Sequence, residues 1–240
     1  MVFAYGAFSY VFFLVVFLYL IGFVGDFLVP RTIDTPPGFS FTQALPVNLG
    51  LLLLLAVQHT VMARPRFKQW WTKIVPPAIE RSTFVLLTNL IFVLLFWQWR
   101  PVTDVVWHVD NAVGSGLLWA VFAAGWGLVL YSTVLIDHFD LFGMRQVWLH
   151  ARQQPYAPPQ FQVTSLYRFV RHPLLLGWMI AFWATPHMSV GHLTFAVVTT
   201  VYMLAAIQIE ERDLTRHHGE PYAQYRRKVS MLIPGLGGKR

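Results

Sequence analysis

Residues 171–213 read RHPLLLGWMIAFWATPHMSVGHLTFAVVTTVYMLAAIQIEERD, and this stretch decides the fold. Between its charged ends lies an apolar region, residues 173–208, which Pro186 and Gly191 interrupt. The interruption predicts two helices of about 13 and 18 residues that fold back on each other as a hairpin. Such a hairpin would bring the two charged ends to the same side of a membrane.

The rest of the chain is also membrane-like in composition. Of its 240 residues, 56% are hydrophobic and only 12% charged, and the mean hydropathy is +0.51, which excludes an ordinary soluble protein. Crossing a hydrocarbon core takes about 20 apolar residues of helix. The sequence therefore predicts an all-α polytopic membrane bundle in a single domain, residues 1–240, with a hairpin over 173–208 and a cytoplasmic covering helix after it. Four spans precede the hairpin: residues 4–25, 44–63, 83–99 and 114–136.

Basic residues predict the orientation of this bundle. If the N-terminus is inside, sixteen of the eighteen Lys and Arg residues fall in interior segments, and only Arg31 and Arg100 fall outside. We therefore expect both termini in the cytoplasm. The net charge of +7 then favours anionic membrane lipid as a partner over nucleic acid. The sequence leaves the oligomeric state open.

Ionisable residues gather at the predicted cytoplasmic ends of the helices. Ionisable groups at membrane depth are costly, so such a cluster is a candidate site. Arg and His can donate to a carboxylate, whereas carboxylates can accept from a ribose diol or an ammonium, which together suits a zwitterionic nucleoside. Each residue taken singly could instead reach out to the lipid headgroups. A ligand site and a set of membrane-surface side chains therefore both stay open. The cluster comprises His59, Arg64, Asp137, His138, Asp140, Arg145, Arg171, His172, Glu210, Glu211 and Asp213.

Three motifs near the C-terminus carry a resemblance to a known superfamily. RHPLLLG, EERD and HHGEPYAQYRRKV resemble the membrane methyltransferases that include isoprenylcysteine carboxyl and phospholipid methyltransferases. Leu175 departs from the pattern, which has Tyr at that position. The resemblance implies a region that binds S-adenosylmethionine (SAM) over residues 164–234. It assigns these residues to the cofactor: Arg171, His172, Pro173, Gly177, Glu210, Glu211 and Tyr222, with Arg171 and His172 on its carboxylate side and a glutamate at its polar end.

Three stretches that precede these motifs in the sequence make the resemblance specific to one family. LAVQHTVMARPRFKQWWTKIVPPAIERSTFVLLTNL, LLFWQWRPV and LIDHFDLFGMRQVWLH are similar to the bacterial methanethiol S-methyltransferases, which make dimethyl sulfide. The resemblance implies a small volatile thiol as methyl acceptor and a location in a bacterial inner (cell) membrane. The glycine-rich stretch GLGG at residues 235–238 has no strand before it and does not predict a nucleotide loop.

A thiol acceptor calls for a base or a positive field, because free alkyl thiols are mostly protonated at neutral pH. The chain has no Cys, so it has no thiol nucleophile and no thiolate metal site of its own. The catalytic candidates are His138, Asp140, His59 and Arg145, and His138 is favoured because DHFD flanks an imidazole with carboxylates. Helix capping or structural ion pairs would equally explain these residues. We expect no metal.

Two other functions stay open. The superfamily motifs alone also fit a methyltransferase that acts on a prenylcysteine carboxylate or a phospholipid amine. The Gln-His pair in the second span resembles haem-binding NnrU-type membrane proteins, in which His59 and His138 would serve as axial ligands.

Overall fold

A computed structural model describes residues 1–159 and 161–236. Residues 237 and 238 of the GLGG stretch, and the basic residues 239 and 240, lie outside these ranges. Helices dominate the described chain, joined by a two-stranded antiparallel ladder and a short 3₁₀ turn at Ser165–Arg168. The elements are α1 Val2–Gly25, α2 Phe41–Ala63, α3 Pro65–Trp71, α4 Pro77–Gln98, β1 Val105–His108, α5 Ala112–Ile136, α6 His138–Leu141, α7 Met144–Ala151, α8 Pro173–Trp183, β2 His187–Ser189, α9 Val190–His218 and α10 Glu220–Lys228.

Within these described ranges, five helices are long and apolar enough to cross a membrane: α1, α2, α4, α5 and α9. The predicted all-α polytopic bundle is confirmed, and the protein is an integral membrane protein. The helices begin earlier than the apolar runs suggest, most clearly α4, which starts at Pro77 rather than at residue 83. Proline suits a first helical position, and Glu80 in the first turn is favourable there. Polar residues that look like a loop therefore belong to the helix.

The described residues form two compact units, and each is described by itself. The first consists of Met1–His108, Asp137–Pro158 and His187–Phe195. In it, α1 packs against α4 and α7, and α2 packs against α4. Gly6 makes room for α7, because a Cβ at this position would lie 2.5 Å from a methyl of Val147.

The second unit consists of Val109–Ile136, Pro159–Pro186 and Ala196–Arg240, and its main packing is α5 against α8. The two helices cross at glycines. A Cβ on Gly177 would lie 2.8 Å from the backbone nitrogen of Val129, and one on Gly125 would lie 2.7 Å from that of Ala181. Only glycine allows backbones this close.

The predicted hairpin is present, with helices of 11 and 29 residues instead of about 13 and 18. Trp183 Nε1 donates to Thr200 Oγ1 at 3.0 Å, and His172 lies beside Glu211, so α8 and this part of α9 run antiparallel. The second helix is longer because its polar continuation consists largely of good helix formers. It ends before Gly219, whose φ of +64° favours glycine, and the predicted covering helix, α10, follows.

Candidate active site

In the second unit, the Arg-His-Pro turn meets a buried carboxylate. Glu211 is 1% exposed, and its Oε1 accepts from Arg171 Nε at 2.6 Å and lies 3.1 Å from His172 Nε2. Its Oε2 lies 3.0 Å from Arg226 Nε. These four residues, the Glu211 cluster, satisfy both carboxylate oxygens with charge-assisted partners, as a buried carboxylate requires.

Helix geometry explains why only one glutamate of the pair points inward. Neighbouring residues on an α-helix lie about 100° apart, so Glu210 cannot share the direction of Glu211. The Glu210 side chain is 51% exposed, and its Oε2 lies 3.8 Å from His172 Nδ1. His172 thus stands between the two carboxylates, and Glu210 is the one that a ligand could reach.

Arg171 also binds the end of the chain. Its Nη1 donates to the carbonyl of Arg226 at 3.0 Å and to that of Val229. Two backbone hydrogen bonds join the same segments: the backbone nitrogen of Arg171 donates to the carbonyl of Ser230 at 2.8 Å, and that of His172 donates to the carbonyl of Met231 at 3.2 Å. Arg171, which was predicted to face the carboxylate of the cofactor, therefore forms its hydrogen bonds with Glu211 and with the C-terminal segment.

Aromatic side chains lie beside the Glu211 cluster. Tyr222 and Tyr225 are buried on α10, and the ring of Phe161 lies 5.6 Å from each of theirs. Tyr225 also donates its hydroxyl to the carbonyl of Tyr167 at 2.7 Å. Burial raises the pKa of Tyr225 to about 12, so it stays a neutral donor. Both tyrosines therefore face the protein interior and not the surface.

Pro173 and Gly177 belong to the framework of α8. Pro173 is its first residue, and its missing N–H costs nothing there. Gly177 lies at the crossing with α5. In this structure, both residues therefore help to fix the position of α8, which follows directly after Arg171 and His172 of the Glu211 cluster.

In the first unit, a tight turn presents His138. Asp137 has a positive φ of 90°, and its Oδ1 accepts from the Asp140 nitrogen at 3.1 Å, capping the short helix α6. At Gly143, with φ of +88°, a Cβ would lie 2.7 Å from the backbone nitrogen of Ser82, so α4 packs closely on the turn. The DHFDLFG stretch thus folds into a turn held on α4.

His138 has an aromatic neighbourhood and a partner from α1. Its Nε2 lies 2.8 Å from the hydroxyl of Tyr10. The rings of Phe142 and Phe139 lie 4.9 and 5.5 Å from the imidazole. Burial lowers the pKa of His138, and the nearby Asp137 carboxylate acts in the opposite direction. His138 is therefore mainly neutral at pH 7 and can accept a proton.

The carboxylates that flank His138 in sequence pair with Arg145. Its Nη1 lies 3.1 Å from Asp137 Oδ2 and 3.6 Å from Asp140 Oδ1. Tyr156 donates to Asp140 Oδ2 at 3.3 Å, and Gln146 Nε2 lies 3.3 Å from Asp140 Oδ1. Burial raises the pKa of Asp140, and its bond with Tyr156 and the charge of Arg145 oppose this. We call Tyr10, Asp137, His138, Asp140 and Arg145 the His138 cluster.

His59 lies elsewhere in the first unit, on α2. Its ring packs 4.9 Å from that of Phe84, which the guanidinium of Arg81 also approaches at 5.1 Å. Arg81 Nε in turn donates to the carbonyl of Leu141 at 2.7 Å. Across residues 1–159 and 161–236, no three His, Asp or Glu side chains converge as metal ligands would.

Comparison with known proteins identifies the family. A methanethiol S-methyltransferase from Mycobacterium tuberculosis is 56% identical over 96% of this chain and 94% of its own length. One from Crocosphaera subtropica is 49% identical over 98% of this chain and 92% of its own length. The chain belongs to the methanethiol S-methyltransferase family. Nurim from Pan troglodytes is a more distant relative, 27% identical over 80% of this chain and 75% of its own length. No protein-family model and no solved structure matches the chain.

In this member of the methanethiol S-methyltransferase family, six of the predicted site residues lie in two groups. Arg171, His172 and Glu211 meet in the Glu211 cluster. His138, Asp140 and Arg145 belong to the His138 cluster. Three further residues at these clusters were not predicted from the sequence: Tyr10, Phe161 and Arg226. Arg226 follows a tyrosine of the C-terminal motif and could have been noticed, whereas nothing in the sequence singles out Tyr10 or Phe161.

Proposed function

We propose that this methyltransferase transfers a methyl group from SAM to methanethiol and so forms dimethyl sulfide. The observation that carries the proposal is the identity of 45–56% with methyltransferases named for methanethiol, over 89–98% of the chain. The substrate for which these relatives are named favours a thiol over a prenylcysteine carboxylate or a phospholipid amine as methyl acceptor. It also favours methyl transfer over haem binding.

The second unit offers donors and acceptors that match the parts of SAM. Arg226, whose side chain is 45% exposed, can donate to the carboxylate, and the half-exposed Glu210 can accept from the ammonium or the ribose hydroxyls. The rings of Phe161 and Tyr222 can pack against the adenine. Arg171, His172 and Glu211 hold these groups in position, while Pro173 and Gly177 set the course of α8. The residues therefore fit the cofactor.

When bound, SAM supplies a methyl group that the thiolate sulfur attacks, so that one C–S bond forms as another breaks and the leaving sulfur keeps the electron pair. The protein's own task is to make the thiolate available. His138 is neutral because of burial and can receive the thiol proton. Asp137, near His138 and fixed by Arg145, stabilises the resulting imidazolium. Asp140 holds Arg145 from its other side. His59 stays a predicted site residue.

Headspace gas chromatography over purified protein tests this function. We expect dimethyl sulfide only when methanethiol and SAM are both present. A lack of product from protein that binds SAM by calorimetry would contradict the thiol acceptor and indicate a lipid one. Protein that binds no SAM and shows a Soret band would contradict methyl transfer in favour of haem binding.

A further inference from the structure

The hydrogen bond between Tyr10 and His138 joins two residues that are 128 positions apart. The hydroxyl of Tyr10 lies 2.8 Å from Nε2, within the range over which a proton passes between side chains. The two rings meet edge to face at 5.7 Å and 90°, so the contact is fixed by packing as well as by the hydrogen bond.

The surroundings of this pair are aromatic. The rings of Phe13, Phe139 and Phe142 have centroids 6.2, 6.0 and 6.3 Å from that of Tyr10. Phe13 and Phe142 stack on each other at 3.8 Å. Such a surface suits a small apolar acceptor and offers aromatic contacts to sulfur. Tyr10 and His138 are both partly exposed, and Phe139 is 57% exposed, so a thiol can reach the pair from the surface.

We propose that Tyr10 is a further catalytic residue, whose hydroxyl takes the proton of the thiol while passing its own proton to His138 Nε2. This inference rests on the proposed function. The S–H bond breaks and leaves its electron pair on sulfur, the Tyr10 hydroxyl is restored, and His138 becomes an imidazolium. Before the step, the neutral imidazole carries its proton on Nδ1. Afterwards it releases the extra proton to solvent from its partly exposed ring.

The charges around His138 fit this direction of transfer. Asp137 favours the imidazolium, and its own charge is balanced by Arg145 at 3.1 Å. A thiolate formed beside the imidazolium is part of a neutral pair, so aromatic surroundings do not have to accommodate an isolated charge.

Tyr10→Phe tests the role of the hydroxyl because it keeps the ring and its aromatic contacts. Tyr5→Phe is the matched control: Tyr5 lies on the same helix, and its hydroxyl bonds Thr83 Oγ1 at 3.0 Å, away from His138. Each variant is assayed with methanethiol and with 2,2,2-trifluoroethanethiol, a more acidic thiol that is ionised to a greater extent without the protein. Calorimetry with SAM checks that each variant is folded.

We expect Tyr10→Phe to lower kcat with methanethiol by about a hundredfold, which is the usual loss when proton transfer is removed. With the acidic thiol, the loss should shrink to about threefold or less, because little proton transfer remains. Tyr5→Phe should resemble the wild type with both acceptors. The variant combining Tyr10→Phe with His138→Ala should be no slower than His138→Ala alone, because the two residues act as a unit.

An equal loss with both thiols would overturn the proton-transfer role and leave Tyr10 as a structural partner of His138. Full activity of Tyr10→Phe with methanethiol would overturn it as well. The wild type serves to separate this inference from the proposed function. A wild type that forms no thioether from either thiol would sink the function itself, whereas an active wild type places any failure on Tyr10 alone.

Discussion

At the scale of single residues, the two adjacent glutamates of α9 have opposite environments. Glu211 is enclosed by Arg171, His172 and Arg226, and Glu210 is half exposed. A carboxylate with cationic partners in a buried site is expensive to remove, because its partners then stay buried without compensation. An exposed carboxylate contributes little to stability and is available to a ligand.

We therefore expect Glu211→Gln to destabilise the protein by up to about 3–5 kcal/mol, seen as a clear fall in Tm in detergent. Glu210→Gln should leave Tm nearly unchanged and weaken SAM binding about tenfold, the loss of one charge-assisted hydrogen bond. Thermal unfolding and calorimetry measure the two effects side by side. A large fall in Tm for Glu210→Gln would show that this glutamate is structural, against our assignment.

At the scale of elements, the crossing of α5 and α8 depends on the absence of side chains. The Cβ of Gly177→Ala would meet backbone atoms, the Val129 nitrogen at 2.8 Å and the Gly125 carbonyl at 2.9 Å, and backbone cannot yield as a flexible side chain can. Gly127, on α5, has open space around its Cβ position and provides the matched control.

Gly177→Ala should lower Tm markedly, because the two helices must move apart. Gly127→Ala should be neutral or stabilising by up to about 1 kcal/mol, owing to the better helix propensity of alanine. Thermal unfolding compares them. A Gly177→Ala protein with normal Tm and weakened SAM binding would contradict the packing role and favour direct cofactor contact.

Also at the scale of elements, hydrogen bonds from Arg171 attach α10 to the rest of the second unit. Arg171 donates from Nε to Glu211 and from Nη1 to two carbonyls near the C-terminal segment. Lysine keeps the charge but lacks the planar fork, so Arg171→Lys cannot make these bonds together.

We expect Arg171→Lys to loosen residues 220–231 and to speed trypsin cleavage after Arg226 or Arg227 several-fold. Arg168→Lys, at an exposed position three residues earlier, is the control. Mass spectrometry of timed digests gives the rates. Equal cleavage in both variants would mean that the aromatic contacts of α10 alone keep it attached.

At the scale of the whole molecule, the sequence predicted the features that depend on one segment better than those that depend on contacts between distant segments. Apolar length predicted the spanning helices, and Pro186 with Gly191 predicted the hairpin, because both signals lie within one segment. The end of α9 was missed, since polar helix formers continue a helix beyond the membrane. Choosing Glu211 over Glu210, or finding Tyr10 beside His138, requires the packing of segments far apart in sequence.

The orientation of the bundle rests on its basic residues and is still a prediction. With both termini inside, Asp104 between α4 and α5 should lie outside the cell, and Gln154 after α7 and Gln224 on α10 should lie inside. The natural chain has no Cys, so a single introduced Cys reports its own position. All three side chains are exposed.

A membrane-impermeant maleimide should therefore label Asp104→Cys in intact spheroplasts. It should label Gln154→Cys and Gln224→Cys only after the membrane is opened, and denatured samples of each variant serve as the control for reactivity. Labelling of Gln224→Cys alone in intact spheroplasts would mean that α9 does not return the chain to the cytoplasm. Labelling of both glutamine positions, with Asp104→Cys protected, would reverse the whole orientation. Because the Glu211 cluster lies where α9 approaches α10, the same experiment decides whether that cluster opens to the compartment in which SAM is made.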